Sequence, residues 1–253
     1  MDTQPPIHKP LNQKQLSLLD TLYRFRFATT ELLTQTLGTS NKGKMNQRLK
    51  LLLDQDYIGR RYEKTYHLTG RHASYFLQAK GIKALKDRPN SKYSSSVLTN
   101  MYKDKDASDR FIGHWLKVFE TYCNLKGIYK DRLKFVTKSQ LTNYKYFPAQ
   151  LPDAYIRMSY GKDERHYFIE LLESSQPFFV QINKIKNYIK YEEEGDWEDA
   201  TNTGLPTALI LCDTQVQAEK LIKYADREID DFDSEESPIV ITYKGGVADV
   251  LDA

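Results

Sequence analysis

Apolar residues recur at helical spacing through the first third of the chain. From Asn12 onward they return every three or four residues, which predicts an amphipathic helix. Thr29 and Thr30 are N-cap residue types and predict the start of a second helix, which ends near Gly38. A third helix is predicted over residues 44–55, with apolar side chains on the inner face and basic ones on the outer face. The chain is therefore expected to open with a small helical domain.

The pattern after the third helix is that of a hairpin. Aromatic and apolar residues at 57–62 lead into a polar stretch, and a strand resumes at residues 74–77. One more short helix is predicted over residues 78–85. Helix, helix, basic helix and hairpin is the order of a winged helix-turn-helix. The string RLKLLLDQDYIGRR…YFLQAKGIKAL resembles the signature of that fold, with Gln78-Ala79 in place of the usual Thr-Pro.

The rest of the chain predicts a mixed α/β domain. A helix over residues 107–125 carries a broad apolar stripe, and the later segments alternate between strand and helix patterns. Strands are predicted at 133–137, 154–158, 167–172, 207–211 and 239–243, and helices at 179–191 and 215–229. The resulting order, αβββαβαβ, describes a mixed sheet flanked by helices.

The predicted fold class is α+β, a winged helix-turn-helix followed by the mixed α/β domain. We expect a flexible, proline-rich arm at residues 1–11 and the winged helix at 12–88. A Ser-, Asn- and Lys-rich linker is predicted at 89–105, and the α/β domain at 106–253.

Composition narrows the class of protein. Of the 253 residues 40% are hydrophobic and 28% are charged, which suits a globular core. No apolar run is long enough to span a membrane, and the first residues lack a signal-peptide pattern. The two cysteines lie far apart and suit a reducing compartment. Membrane proteins, disulfide scaffolds and disordered chains are excluded, and a cytoplasmic location is expected.

Charge is distributed unevenly along the chain. Residues 1–100 carry 17 Lys and Arg against 7 Asp and Glu, a net charge of +10. The remaining residues carry 20 against 27, a net charge of −7, and the whole chain is at +3. A basic first part indicates double-stranded DNA as its partner.

The third helix and the hairpin carry the candidate DNA-binding residues. A helix in the major groove needs cations for phosphates and side chains that reach base edges, and a wing supplies further phosphate contacts. The candidates are Lys42, Lys44, Gln47, Arg48, Lys50, Arg60, Arg61 and Lys64. Two alternatives stay open: a solvated helix face without a ligand, and a winged helix that contacts protein.

Two acidic residues mark a candidate site in the second domain. Asp153 opens one predicted strand and Glu170 lies on the next, and paired carboxylates can hold Mg²⁺ beside a phosphate. The arrangement and the αβββαβ order resemble the PD-(D/E)xK nuclease fold. The lysine usual two positions after the glutamate is replaced by Leu172, which argues against cleavage.

Other residues could complete that site. Lys184 or Lys186 on the following helix could replace the lost lysine, and Glu120 could supply a third carboxylate. The catalytic candidates are therefore Asp153, Glu170, Lys184 and Lys186, and the metal candidates are Asp153, Glu170 and Glu120. The alternative interpretation makes Asp153 a strand cap and Glu170 a polar edge residue. No cofactor is expected, apart from Mg²⁺ if the nuclease alternative holds.

Known motifs for other chemistries do not fit. Residues 38–44 have the spacing of a phosphate-binding P-loop, but Met45 stands where Ser or Thr should hold magnesium. The five histidines and two cysteines show no zinc-ligand spacing, and no G-x-S-x-G elbow is present.

The combined segments resemble one protein family. The winged-helix strings, DRFIGHWLKVFE, PDAYIRM and HYFIELLESSQPFFVQINKIKNYIKY together are similar to the replication-relaxation family. Members occur on plasmids and integrative elements and join a winged helix to a restriction-endonuclease-like domain. The resemblance implies roles for Asp153 and Glu170, and for a later lysine and tyrosine, Lys184 or Lys186 with Tyr188 or Tyr191.

Three functions follow from this resemblance and from the residues. The first is a non-enzymatic DNA-binding protein of a mobile element, whose degenerate nuclease domain forms a homodimer or contacts a basic protein. The acidic residues at 192–194 and 230–233 favour such a partner. The second is a Mg²⁺-dependent nicking nuclease that acts in replication or relaxation. The third is a winged helix that serves protein assembly alone.

Overall fold

The chain folds into two compact units. The computed structural model describes residues 10–39, 41–68, 70–89, 93–229, 232 and 238–253. One unit reaches to Leu116 and the other is Lys117–Ala253, so the boundary falls inside one long helix and beyond the linker predicted at 89–105. The arm expected at 1–11 and the acidic segment at 230–233 lie largely outside the described residues.

The first unit contains the first three helices, the hairpin and the last short helix predicted for it, together with short helices that were not predicted. Helix α1 begins after Asn12, whose side chain and that of Gln15 satisfy each other's backbone amides in a capping box. Helix α2 begins after Thr29, which accepts from Leu32 N. The helices and strands are α1 (Gln13–Phe25), α2 (Thr30–Thr36), α3 (Lys42–Asp54), β1 (Ile58–Arg61), α4 (Lys64–Leu68), β2 (Ser74–Leu77), α5 (Ala79–Lys86), α6 (Ser95–Met101) and α7 (Asp109–Tyr129).

Strands β1 and β2 form the expected antiparallel hairpin. Their register pairs Ile58 with Leu77 and Arg61 with Ser74. An isolated bridge between Ala28 and Tyr75 adds a third partner, with both backbone hydrogen bonds made. The short helix α4 lies where only a polar stretch was predicted. These positions agree with the expected order of elements, and the winged helix itself stays a prediction.

Gly81 allows α5 to approach the end of α3 closely. A Cβ atom at this position would lie 2.1 Å from the carbonyl oxygen of Tyr57. That same oxygen accepts a hydrogen bond from Gln78 N at 3.0 Å, so Tyr57 cannot move away without losing it. The small residue in the Gln-Ala-Lys-Gly string is therefore a packing requirement.

The segment predicted as a linker is partly helical. Helix α6 and a 3-10 turn at Asp104–Asp106 lie within it. Val97, Leu98 and Met101 are buried on one side of α6. Their spacing forms a short apolar face inside a stretch whose Ser, Asn and Lys content suggested a linker.

The second unit is a mixed α/β fold, as predicted. Its five strands follow chain order across the sheet; β3 and β4 run antiparallel to their neighbours, and β5, β6 and β7 are parallel. The αβββαβαβ order is confirmed, with short helices added between the predicted elements. Beyond α7 the elements are β3 (Leu133–Thr137), α8 (Lys138–Leu141), β4 (Ala154–Tyr160), β5 (Asp163–Leu172), α9 (Phe178–Glu194), α10 (Asp196–Thr201), β6 (Thr207–Cys212), α11 (Gln215–Glu228), β7 (Ile239–Tyr243) and α12 (Val247–Asp252).

Helices α9 and α11 belong to one hydrophobic core with the centre of the sheet. Phe168 and Leu172 of β5 and Ile210 of β6 are buried there with Ile185 and Leu221 of the two helices. Side chains alternate along a strand, so Glu170 points to the same face as Phe168 and Leu172. In the part of the chain that the structure describes, no helix has the length and apolar character needed to cross a bilayer.

Candidate functional site

Helix α3 presents a basic outer face. Asn41 caps the helix, because its side-chain oxygen accepts from Lys44 N at 2.8 Å. Met45, Leu49 and Leu52 are buried. The outer positions lie between these buried ones, as helical periodicity requires. They are Lys44, Gln47 and Lys50, all exposed, and Lys42 is exposed at the first turn of the helix.

Several of these predicted DNA-binding residues have intramolecular partners. Lys42 pairs with Glu31 at 2.8 Å, and Lys50 pairs with Asp54 at 3.3 Å. Arg48 is half-buried and donates to Thr39 Oγ1 at 3.2 Å, in the turn that follows α2. Exposed ion pairs contribute roughly 0–1 kcal/mol, so a DNA phosphate can replace such partners.

The predicted DNA-binding residues of the hairpin differ in their exposure. Arg60 is exposed, with its guanidinium 5.7 Å from the ring centroid of Tyr62. Arg61 is half-buried, donates to the carbonyl of Lys105 and lies 3.8 Å from Asp109. Arg61 therefore points to the start of α7, which its position in the sequence did not indicate. The side chain of Lys64 lies outside the described part of the structure.

Asp153 and Glu170 lie close together on neighbouring strands, as predicted. Asp153 precedes β4, and its Oδ2 accepts a hydrogen bond from Leu171 N of β5 at 2.9 Å. Glu170 is buried. Its Oε2 lies 2.7 Å from Lys184 Nζ, and its Oε1 accepts from the Tyr188 hydroxyl at 3.2 Å.

Burial controls the charge state of this group. Burial raises the pKa of Glu170 to about 7, the nearby Asp153 carboxylate adds to the rise, and Lys184 opposes it. Burial also raises the pKa of Tyr188 well above its usual range, and Glu170 contributes further. Tyr188 is therefore a neutral hydrogen-bond donor to the carboxyl group.

A cavity of about 160 Å³ opens over this group. Glu170, Lys184, Tyr188 and Tyr191 lie on its wall, and the amide pair of Asn187 and Gln150, joined at 2.6 Å, lies at its exposed side. Remaining lining residues are Pro148, Ala149, Lys190 and Glu194. The resemblance named a later lysine and tyrosine, and Lys184 and Tyr188 are the two that contact Glu170.

Two residues predicted for this site lie away from Asp153 and Glu170. Lys186 is exposed on α9, whereas Lys184 two residues earlier points to Glu170. Glu120 is exposed on α7 and lines a separate cavity of about 80 Å³ with Lys117 and Lys244. The structure thus gathers Asp153, Glu170 and Lys184, and leaves out Lys186 and Glu120.

The gathered residues fit a lysine-neutralised carboxylate better than a magnesium site. Mg²⁺ can be held by two carboxylates and water, but its ligands must be deprotonated. Both oxygens of Glu170 already accept hydrogen bonds, and burial favours its protonated form. Among the described residues, no group of three or more His, Cys, Asp or Glu side chains is arranged to hold a metal.

Comparison with protein-family models identifies the family of this chain. The family model described as Replication-relaxation matches residues 19–205. The chain belongs to the replication-relaxation family. The match includes both α3 and the Asp153–Glu170 group, and it confirms the family expected from the sequence. A search of curated proteins finds no match.

The similarity to solved structures is weaker than the match to the family model. Two structures of the restriction endonuclease FokI, one of them bound to DNA, each align with 84% of this chain at 11% identity. Their TM-scores are 0.31 and 0.30, and the chain covers 40% and 41% of the two FokI chains. The chain therefore spans less than half the length of these structures, and scores of this size do not establish a shared fold. Membership in the replication-relaxation family rests on the sequence match.

Proposed function

We propose that this replication-relaxation protein is a DNA-binding accessory or regulatory protein of a plasmid or other mobile element. The first unit grips duplex DNA as a winged helix, and the second unit contacts protein. The observation that supports this best is the outer face of α3, where Lys44, Gln47 and Lys50 are exposed beside a buried apolar face.

Each part of that face has a role in DNA binding. Lysines at the exposed positions neutralise phosphates and release counterions, which supplies most of the affinity. The amide of Gln47 can donate to and accept from a base edge in the major groove. Arg60, exposed on β1 beside Tyr62, adds a contact from the hairpin.

The second unit suits protein contact better than cleavage. Its candidate site is neutralised by Lys184, and Leu172 fills the position of the missing lysine inside the core. Glutamates at 192–194 are exposed at the end of α9 and repel DNA. They favour a basic protein partner, and a second copy of the chain is the other partner that this domain could bind.

The double variant Lys44→Ala with Lys50→Ala tests DNA binding. At about 0.1 M salt we expect roughly tenfold weaker binding to a labelled duplex, measured by fluorescence anisotropy. The slope of log affinity against log salt should become shallower by about 2, because two phosphate contacts are lost.

The matched control is Lys162→Ala with Lys223→Ala, which removes the same charge from exposed positions of the second unit. Binding by this control should equal that of the wild type. If both double variants weaken binding equally, the specific role of α3 is wrong. Weak binding by the wild type that does not depend on salt would instead favour the protein-assembly alternative.

A Mg²⁺-dependent nicking nuclease is the second candidate. The convergence of Asp153, Glu170 and Lys184 favours it, while the occupied oxygens of Glu170 oppose it. We expect supercoiled plasmid to remain intact in the presence of the wild-type protein and Mg²⁺, as followed on a gel.

Nicking would support the nuclease only if it depends on the buried group. Glu170→Gln should then abolish it, and Lys186→Met should leave it unchanged, since Lys186 points to solvent. Nicking that survives Glu170→Gln would indicate a contaminating enzyme.

A further inference from the structure

Three side chains of the hairpin region converge on one carboxylate at the start of α7. Arg71 Nη1 donates to Asp109 Oδ2 at 2.8 Å, and the Tyr66 hydroxyl donates to Oδ1 at 3.1 Å. Arg61 Nη2 lies 3.8 Å from the same Oδ1. The Arg71 guanidinium also lies 4.4 Å from the ring centroid of Tyr66, which fixes its orientation.

The neighbouring side chains stabilise Asp109 as a carboxylate. Arg71 is the largest influence that lowers the pKa of Asp109, with Tyr66 and Arg61 contributing further. Two guanidinium groups and a hydroxyl around one anion form the kind of donor set that binds phosphate oxygens. The same donors can therefore bind the oxygens of a phosphate in place of the Asp109 carboxylate.

The charged side chains of the cluster are partly exposed, whereas Tyr66 is buried. The side chains of Arg71 and Asp109 are 43% and 44% exposed, so an external anion can reach them. Arg61 follows Arg60 directly on β1, so the two side chains leave opposite faces of the strand, and the exposed Arg60 lies one residue along the strand from the cluster. An exposed pair of this kind is held weakly enough to exchange its anion.

We propose that Arg61, Arg71 and Tyr66 form a binding site for a DNA backbone phosphate, and that Asp109 occupies this site in the free protein. Asp109 is then an intramolecular competitor that lowers the affinity for DNA. This inference rests on the proposed function, because it assumes that the hairpin faces duplex DNA.

The variant Asp109→Asn tests the competition. It keeps the size of the side chain while removing the charge that holds the arginines. Binding to the labelled duplex should become about 3- to 10-fold tighter, and the salt slope should become steeper by about 1 to 2 as the released arginines meet phosphates. Adding Arg71→Ala to Asp109→Asn should remove most of this gain.

Asp106→Asn is the matched control, because it removes the same charge from a nearby exposed residue whose ion pair is with Lys105. It should change the affinity much less than Asp109→Asn, and thermal unfolding should confirm that both variants are folded. Equal effects of the two variants would overturn the competition and leave DNA binding intact. An absence of duplex binding by both the wild type and Asp109→Asn would overturn the proposed function together with this inference.

Discussion

Replacing Lys184 with Met should destabilise the second unit by roughly 1–2 kcal/mol near pH 8, the range that a Glu170 pKa of about 7 allows when the loss near pH 5 is small. The substitution removes the ammonium group that lies 2.7 Å from Glu170 and leaves a buried carboxyl group without its counter-charge. Trp115 and Trp197 lie in different units, so fluorescence in a Trp115→Phe background follows unfolding of the second unit. Denaturant titration in that background measures the free energy of unfolding.

The loss should depend on pH in a defined direction. Because the folded-state pKa of Glu170 is about 7, above its ordinary value, its contribution to stability is highest below the ordinary pKa and falls as pH rises toward 7. Without Lys184 the folded-state pKa rises further, so this fall continues to higher pH. The difference between variant and wild type should therefore be small near pH 5 and largest near pH 8.

Lys186→Met is the matched control on the same helix, and it should change stability by less than about 0.5 kcal/mol because Lys186 is exposed. Combining Lys184→Met with Glu170→Leu should recover much of the loss, since a buried ion pair can be replaced by apolar groups. A loss that does not vary between pH 5 and pH 8 would show that packing, and not the charge of Glu170, determines the effect.

Replacing Arg26 with Met should destabilise the first unit by about 3–5 kcal/mol. Asp104 is 1% exposed, and both of its oxygens accept hydrogen bonds from the Arg26 guanidinium. The guanidinium also lies 4.8 Å from the ring centroid of Phe111 and 5.6 Å from that of Trp115. The variant loses these cation–π contacts and leaves Asp104 buried without a cation.

Fluorescence of Trp115 in a Trp197→Phe background reports on this unit. Arg110→Met makes the same change at an exposed position of α7 and should leave the unfolding transition almost unchanged. If Arg26→Met costs no more than Arg110→Met, the Arg26–Asp104 pair does not stabilise the unit.

Local sequence patterns predicted most of the elements. The spacing of leucines located α1 to α3, and short apolar runs located the five strands of the sheet, because each pattern reflects which face is buried. Helix α6 was missed because its few apolar residues lie in a polar stretch. The burial of Leu172 explains the departure from the nuclease motif, since its strand position points into the core.

The sequence predicted the candidate residues of the site, but it did not predict which of them contact one another. Asp153 and Glu170 were identified from adjacent strands, but the choice between Lys184 and Lys186 depends on how α9 is rotated against the sheet. The contact of Arg61 and Arg71 with Asp109 joins residues far apart in sequence. Such contacts depend on tertiary packing, which no local pattern specifies.

Strand order in the second unit has a consequence for how the chain acquires its structure. Each strand from β4 to β7 pairs with the strand before it, so the sheet can grow in the order in which the chain is synthesised. The connections between the antiparallel strands β3, β4 and β5 are shorter than the two parallel connections, which run through α9 and α11. Closing a loop costs conformational entropy before any long-range contact forms. The antiparallel strands, which have the shorter connections, can therefore pair first and serve as a template for β6 and β7.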